Sequence, residues 1–165
     1  MYHLEILQKP YSAEDLEAIR AINQANIPEV SDIESIDRLK QLINWSSHTI
    51  VVRDSEIVGF VILMRENQDY ESLNYDFFNN NNEPFLYVDR IAIQENHQRK
   101  GLGKLIYNKV IELGKELEVN ITCEVNTIPR NEPSLAFHAG FGFEEVDTKD
   151  FEDHSVVYLT KFLHS

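Results

Sequence analysis

Residues 98–104 combine the residue types that bind an anionic group. They are Gln98, Arg99, Lys100, Gly101, Leu102, Gly103 and Lys104. The segment follows a strongly apolar run and precedes an amphipathic one, so we expect it to join a strand to a helix. The first amides of a helix have no partner within it, and together with the helix dipole they stabilise an anion. The three basic side chains make this segment a candidate phosphate-binding turn.

Known phosphate-binding loops narrow the chemistry of this turn. A Walker loop needs glycine at position 98 and serine or threonine at position 105, where Gln98 and Leu105 stand. A dinucleotide-binding fingerprint needs a third glycine at position 106, where Ile106 stands. The remaining pattern, Gln-x-x-Gly-x-Gly, is typical of the diphosphate-binding turn of coenzyme A acetyltransferases. A loop that only opens a helix can carry the same residues, so the turn by itself leaves both interpretations open.

A second cluster of polar and small residues follows nearer the C-terminus. Its members lie at relative positions 0, 3, 7, 11 and 12 and are Asn131, Ser134, His138, Gly142 and Phe143. Spacings of three and four residues put the first three on one side of a helix. We therefore expect a short helix over residues 133–139, which Asn131 caps and which ends before Gly142.

The periodicity of the chain predicts the elements that hold these clusters. Residues 85–93 and 121–125 indicate strands, with the best amphipathic helix over 102–117 between them. Before them we expect a short strand, two helices that stop near Pro28 and Trp45, and strands over 49–52 and 57–64. Two strands close the chain. The order β, α, α, β, β, β, α, β, α, β, β indicates a mixed sheet with helices on both faces.

The two clusters, in this order of elements, resemble the GNAT superfamily of N-acetyltransferases. That family typically shows the Gln/Arg-x-x-Gly-x-Gly/Ala turn, then Asn, a small residue, Tyr and Gly-Phe at the offsets given above. The segments FLYVDRIAI, EVNTIPRN and SLAFHAGFGF are also similar to a bacterial subgroup of predicted GNAT proteins with no assigned acceptor. The resemblance implies one domain over residues 1–165. It also implies an α/β fold whose mixed, mostly antiparallel twisted sheet has about seven strands and a splay between two central parallel strands.

The resemblance implies acetyl-CoA as the co-substrate. The strand backbone would pair with the pantetheine arm, the turn amides would hold the diphosphate, and the second cluster would flank the thioester. The residues that the resemblance places there are Ile91, Ala92, Ile93, residues 98–104, Asn131, Ser134 and His138.

Direct transfer of an acetyl group to an amine needs a base, a stabilised oxyanion and a proton for the departing thiolate. His138 occupies the position of the family's usual Tyr and can donate a proton at neutral pH, although a packed, hydrogen-bonded histidine is the alternative. We rank Asp89 first and Glu124 second as the base. Strand alternation places Asp89 opposite Arg90, and the alternative is a salt bridge between them.

The acceptor is expected against the first two helices and residues 65–84. This segment is rich in aromatic residues and asparagine, and its sequence predicts a long loop. The loop can contact the acceptor or cover a sheet face, and both interpretations stay open. The residues that we expect near the acceptor are Tyr70, Asn74, Tyr75, Asp89, Glu124 and Asn126.

Composition limits the partners. With 15 basic and 28 acidic residues, the net charge of −13 repels nucleic acids and anionic membranes, so we expect a small-molecule or peptide amine as acceptor. Cys123 is the single cysteine, and the histidines lack metal-ligand spacing, so no disulfide framework and no metal site are expected.

The start of the chain is unlike a signal peptide, and no apolar run of about 18 residues occurs, which favours a cytoplasmic location. The last strand, VVYLTKFL, is a candidate for pairing across a homodimer. Because the usual Tyr is replaced, an inactive GNAT-like domain that senses acyl-CoA or scaffolds a partner is the alternative to an enzyme.

Overall fold

The computed structural model describes residues 1–163, whose seven strands form one sheet. The strands are β1 His3–Ile6, β2 His48–Asp54, β3 Glu56–Met64, β4 Phe85–Ile93, β5 Asn120–Ile128, β6 Glu144–Asp150 and β7 Ser155–Lys161. The helices are α1 Ala13–Gln24, α2 Ile36–Trp45, α3 Leu73–Asn79, α4 Leu102–Leu117 and α5 Glu132–Gly140, with a 3₁₀ turn at Glu95–His97. The predicted bounds of β4 and α4 are confirmed to the residue.

The strand order is β1-β2-β3-β4-β5-β7-β6, and every neighbouring pair is antiparallel except β4 and β5. This is the expected mixed, mostly antiparallel sheet with a central parallel pair. Because β7 lies between β5 and β6, its backbone is paired on both sides. The prediction that β7 pairs across a homodimer is therefore wrong, and the sheet edges belong to β1 and β6.

Both faces of the sheet are covered by helices. One buried cluster joins the apolar sides of α1, α2 and α3 to residues such as Phe60, Tyr87 and Tyr158. The other joins α4 to the opposite sides of the same strands, through residues such as Val61 and Leu86. A sheet that buries both faces needs apolar side chains at successive positions, and all of β3 except Glu56 is buried.

Side-chain caps fix where the helices begin. Ser12, Ser35, Ser72 and Asn131 each accept a hydrogen bond from the amide three residues later, which satisfies one of the free amides of the first turn. The predicted cap at Asn131 is confirmed.

The prediction of a continuous loop over residues 65–84 is wrong, because α3 forms inside it. Ser72 caps α3, and Tyr75 and Phe78, three residues apart, are buried against the sheet. The burial of these two rings stabilises a helix that the neighbouring asparagines disfavour. This part of the segment therefore covers the sheet, as one of the two interpretations proposes.

The central parallel strands separate soon after they begin. Only Phe85–Tyr87 of β4 pair with Asn120–Thr122 of β5, although each strand has nine residues. Beyond that point, no register pair joins the two strands in the part of the chain that the structure describes. The resulting gap opens towards the carboxyl ends of β4 and β5, where residues 98–104 and the start of α5 follow.

Candidate active site

The turn between β4 and α4 has an unusual backbone. Arg99 and Gly101 adopt φ values of 63° and 79°, in the left-handed region, and Gly101 is the N-cap of α4. Gln98 anchors the turn, since its side-chain amide donates to the Ile93 carbonyl at 3.1 Å. A residue with a Cβ is strained at such a φ, which explains the glycine at position 101. Gly103 serves packing, because an added Cβ would lie 3.3 Å from the Phe137 ring.

The amides of residues 99–104 have no hydrogen-bond acceptor among residues 1–163. The first main-chain bond of α4 runs from the Leu105 amide to the Gly101 carbonyl, at 3.0 Å. Arg99, Lys100 and Lys104 are exposed and make no ion pair with any residue that the structure describes. Free amides at a helix start and three exposed cations together make this turn a candidate anion-binding site on a protein of net charge −13.

The strand predicted to pair with pantetheine presents one open edge. Ile91, Ala92 and Ile93 pair with β3 on one side, whereas on the other side they face the gap and have no register partner on β5. Ile91 and Ile93 pack on the α4 face of the sheet, and Ala92 packs on the α1 face. The open edge therefore offers main-chain groups of Ile91 and the Ile93 amide along the gap, while the Ile93 carbonyl already accepts from the Gln98 and Asn26 side chains.

A β-bulge changes where the charged residues of β4 point. Ile62 pairs with Arg90 and Leu63 with Val88, so Asp89 is an extra residue on β4. Asp89 and Arg90 consequently share one face, where the Arg90 Nε donates to the Asp89 Oδ2 at 2.8 Å. The prediction that alternation separates these two side chains is wrong, and the salt bridge that we gave as the alternative is present.

Both oxygens of Asp89 are engaged. The Tyr70 hydroxyl donates to the Asp89 Oδ1 at 2.8 Å, while the Arg90 guanidinium holds the other oxygen. Arg90 is bound in turn by Asn23 and Ser31, at the end of α1 and in the connection to α2. Asp89 is thus part of a buried network that joins α1, β4 and residues 65–84, which does not favour it as the base.

Glu124 lies on β5, on the same face of the sheet as Asp89. The Tyr87 hydroxyl donates to the Glu124 Oε1 at 2.5 Å, and no side chain among the described residues donates to the Oε2. Burial raises the pKa of the Glu124 carboxyl to about 8, and the negative charge of Asp89 adds to the rise. The hydrogen bond from Tyr87, the charge of Arg90 and a hydrogen bond from the main-chain amide of Glu124 oppose it. The geometry favours Glu124 over Asp89 as the proton acceptor.

His138 lies on the opposite face, buried between α4 and α5. Its Nδ1 donates to the Ser134 carbonyl at 2.7 Å, and its Nε2 accepts from the Tyr107 hydroxyl at 2.6 Å. Burial lowers the pKa of His138, so the ring is neutral at pH 7 and has no further N–H to donate. The Ser134 hydroxyl lies 3.3 Å from the same Nδ1, and Asn131 caps α5. This geometry favours packing for His138.

Among the predicted acceptor residues, Tyr75 and Asn74 are held by hydrogen bonds within the protein, whereas the Asn126 side chain is not. Tyr75 is buried, and its hydroxyl donates to the Arg65 carbonyl at 2.6 Å and accepts from the Gln68 amide, so it holds residues 65–75 together. Asn74 accepts from the Tyr158 hydroxyl at 2.8 Å. Asn126 is half-buried on β5 and its side chain makes no hydrogen bond to the described residues.

Three tyrosines at the site were not predicted: Tyr87, Tyr107 and Tyr158. They lie at alternate or helical positions within apolar runs, so the sequence shows them as core residues. Strand alternation places Tyr87 on the same face as Asp89, and from this spacing alone the sequence could have indicated that Tyr87 lies at the site. Their partners lie on other elements, which the sequence of one strand does not reveal.

Among residues 1–163, no group of three or more His, Cys, Asp or Glu side chains is arranged to hold a metal ion. No helix in the same range has the length and apolar character needed to span a bilayer.

Comparison with known proteins shows which family this chain belongs to. The model of the Acetyltransferase (GNAT) family matches residues 13–143. The chain therefore belongs to the GNAT acetyltransferase family. It is an enzyme of the acyltransferase class.

Solved structures with the same fold share little sequence with this chain. NAA60 of Arabidopsis thaliana, in complex with acetyl-CoA, is 15% identical with a TM-score of 0.74, over 99% of each chain. The ribosomal-protein-S18-alanine N-acetyltransferase of Escherichia coli is 16% identical with a TM-score of 0.71, over 97% of this chain and 92% of that one. Naa50 of Arabidopsis thaliana, in complex with a bisubstrate analogue, is 16% identical with a TM-score of 0.71, over 98% and 99%.

Proposed function

We propose that this chain transfers an acetyl group from acetyl-CoA directly to a primary amine of a small molecule, amino acid or peptide. The observation that carries the proposal is the set of free amides at residues 99–104, framed by Arg99, Lys100 and Lys104. A diphosphate matches both features, because it accepts several hydrogen bonds and carries negative charge.

The residues of this chain fit acetyl-CoA, which supplies the acetyl group as a thioester. The gap between β4 and β5 has an open strand edge at Ile91–Ile93, suited to the amide groups of a pantetheine arm. The open end of the gap lies beside the turn, so one extended molecule can contact both. Asn131 and Ser134 lie at the start of α5, which follows β5 at the same end of the sheet.

Glu124 is the proposed base. A primary amine is mostly protonated at neutral pH and must lose a proton before it attacks a carbonyl carbon. Burial places the pKa of Glu124 at about 8, close enough to neutral for the carboxylate to form and to accept that proton effectively. Oε2 is the atom that receives it, since no side chain donates to it whereas Oε1 already accepts from Tyr87.

The reaction also needs a stabilised oxyanion and a leaving group that can depart. The open edge of β4 carries main-chain N–H groups that can stabilise negative charge on the carbonyl oxygen. His138 has no free N–H to donate, since Nδ1 is bound to Ser134 and Nε2 accepts from Tyr107. A thiol has a pKa of about 8.5, so the thiolate is a tolerable leaving group without a side-chain acid.

The acceptor binds on the Glu124 face of the sheet. Asn126 is two residues from Glu124 on the same face of β5, and its amide is free to contact the acceptor. Tyr70 and Asn74 border the region from residues 65–84. Support for an amine comes from neighbours that are N-acetyltransferases, among them Naa50, whose bisubstrate analogue is CoA-Ac-MVNAL.

A two-step experiment tests the proposal. We expect acetyl-CoA at 100 times its Kd to stabilise the folded protein by about 2.7 kcal/mol, measured by thermal unfolding. We then expect free thiol to appear when a panel of primary amines and short peptides is added with acetyl-CoA. Stabilisation without thiol release from any amine would favour the alternative of an acyl-CoA sensor. No stabilisation by acetyl-CoA or coenzyme A would contradict both functions.

A further inference from the structure

Tyr87 and Glu124 form a contact between the two central strands at the point where these strands separate. The last register pair of β4 and β5 joins Tyr87 to Thr122, and Glu124 is two residues further along β5. The Tyr87 hydroxyl spans the start of the gap to reach the Glu124 Oε1 at 2.5 Å. We propose that Tyr87 is a positioning residue that holds one oxygen of Glu124, leaves the other for the acceptor amine, and sets the pH at which the carboxylate forms. The inference rests on the proposed role of Glu124.

The packing around Tyr87 fixes its ring. Tyr87 is only 1% exposed, and Tyr75 meets its ring edge-on at a centroid distance of 5.5 Å. Phe78 contacts the same ring at 5.9 Å. Both neighbours come from α3. A ring confined in this way keeps its hydroxyl aimed at Glu124, so α3 supports the carboxylate through Tyr87.

The Tyr87 hydroxyl is the one side-chain donor to Glu124 among the described residues. Asp89 and Arg90 on β4 act on Glu124 through their charges and are hydrogen-bonded to each other. Of the other titratable groups that the charge of Glu124 affects, Tyr158 on β7 shares its face of the sheet. Cys123 on β5 and Tyr107 on α4 lie on the opposite face. The Tyr158 hydroxyl donates instead to Asn74, and the Tyr107 hydroxyl lies against His138.

The sign of the effect follows from which form of the carboxyl the hydroxyl stabilises. A hydrogen bond donated to a carboxylate favours the charged form and lowers the pKa. Tyr87 therefore counteracts the burial that raises the pKa of Glu124 to about 8. Burial and the charge of Asp89 both raise the pKa of Glu124. When the Tyr87 hydroxyl is removed, less remains to lower this pKa, so the carboxylate forms only at higher pH.

The test compares Tyr87→Phe with Tyr158→Phe in the full chain. Tyr158 is the cross-strand partner of Glu124 on β7, so both variants remove one hydroxyl from a strand beside it. The Glu124 carboxyl carbon is titrated by ¹³C NMR in the ligand-free protein. A hydrogen bond to a charged group corresponds to about one pH unit, so we expect an upward shift of that size in Tyr87→Phe. We expect no comparable shift in Tyr158→Phe.

The kinetic part of the test uses an amine whose addition with acetyl-CoA releases free thiol in the experiment described above. In Tyr87→Phe we expect kcat/KM at pH 7 to fall about tenfold and to recover at high pH, since a one-unit rise in the pKa of a base lowers its ionised fraction tenfold. The KM for acetyl-CoA stays unchanged. In Tyr158→Phe the midpoint of the pH profile stays that of the wild type.

The outcomes separate the two claims. An unchanged NMR titration in Tyr87→Phe, or equal shifts in both variants, would overturn the proposed role of Tyr87. An NMR shift that the kinetic midpoint does not follow would overturn Glu124 as the base and leave its contact with Tyr87 intact. Parallel shifts of both midpoints in Tyr87→Phe alone support the inference.

Discussion

Glu124 is the residue whose loss tests the proposed chemistry most directly. We expect Glu124→Gln to lower kcat by roughly 10²- to 10⁴-fold, the usual contribution of a general base. A base works when deprotonated, so wild-type activity should rise with pH through a midpoint near 8, and this midpoint should vanish in the variant. Rates are measured from pH 6 to pH 10. Glu144→Gln, on the exposed strand β6, is the control that should match the wild type.

The same substitution has a second, activity-independent consequence. The folded-state pKa of Glu124 is raised, so the unfolded state binds fewer protons between its own pKa and about 8. Ionisation of Glu124 therefore removes stability as the pH rises through this window. The unfolding free energy of the wild type should therefore fall relative to that of Glu124→Gln as the pH rises from about 5 to about 8. An equal pH dependence of unfolding in both proteins would contradict a buried carboxyl with a raised pKa.

His138 allows packing to be separated from acid catalysis. His138→Ala opens a cavity and removes the hydrogen bond between His138 and the buried Tyr107 hydroxyl, so we expect a loss of about 2–4 kcal/mol in unfolding free energy. Measured well below the unfolding temperature, kcat should stay within about threefold of the wild type, since general acids contribute far more. His3→Ala, at an exposed position on β1, is the control for stability. A large loss of kcat with unchanged acetyl-CoA affinity would show that His138 is the acid.

At the scale of elements, the start of α4 should be the part of that helix that binds the diphosphate. We expect Lys104→Ala to raise the Kd for acetyl-CoA about fivefold, the effect of losing roughly 1 kcal/mol of charge-assisted binding. Lys115→Ala, an exposed lysine in the last turn of α4, keeps the same net charge as that variant but should bind like the wild type. Isothermal titration calorimetry measures both. Equal weakening in both variants would indicate a general charge effect rather than a site at the helix start.

The elements differ in how well their sequences predict them. β4 and α4 were predicted to the residue, because their apolar periodicity is strong and residues 98–104 separate them. α3 was missed because its stability depends on partners outside it: Phe77 stacks on Tyr158 at 4.0 Å, and Phe78 packs on Phe85. A seven-residue helix has little stability of its own, so its sequence alone favours a loop.

The residues of the candidate site also differ in how well the sequence predicts them. The turn at residues 98–104 is contiguous in sequence, so its glycines and basic residues can be identified from the sequence alone. The acceptor side depends on the bulge at Asp89 and on hydrogen bonds between strands, such as that of Tyr87 with Glu124. Alternation counted from the sequence assumes an unbroken strand, and so it assigned Asp89 and Arg90 to opposite faces. The order of the two candidate bases changed for that reason.

At the scale of the whole molecule, added salt should act on stability and on binding in opposite directions. With a net charge of −13, the folded protein repels itself, and salt screens this repulsion. The same salt weakens attraction between the cations of residues 98–104 and a diphosphate. From about 0.05 to 0.3 M NaCl, the Tm of the ligand-free protein should rise while the Kd for acetyl-CoA increases. A Kd that does not change with salt would argue against a cationic site.

The extra residue on β4 also determines how this strand tolerates changes in length. Arg90 and Ala92 face the α1 side and Ile91 and Ile93 the α4 side because Asp89 adds one position to the strand. Deletion of a single codon here would exchange the two sets, turning two isoleucines towards the buried tyrosines and an arginine into the opposite apolar layer. Insertions or deletions in this stretch are therefore expected to be far more harmful than substitutions.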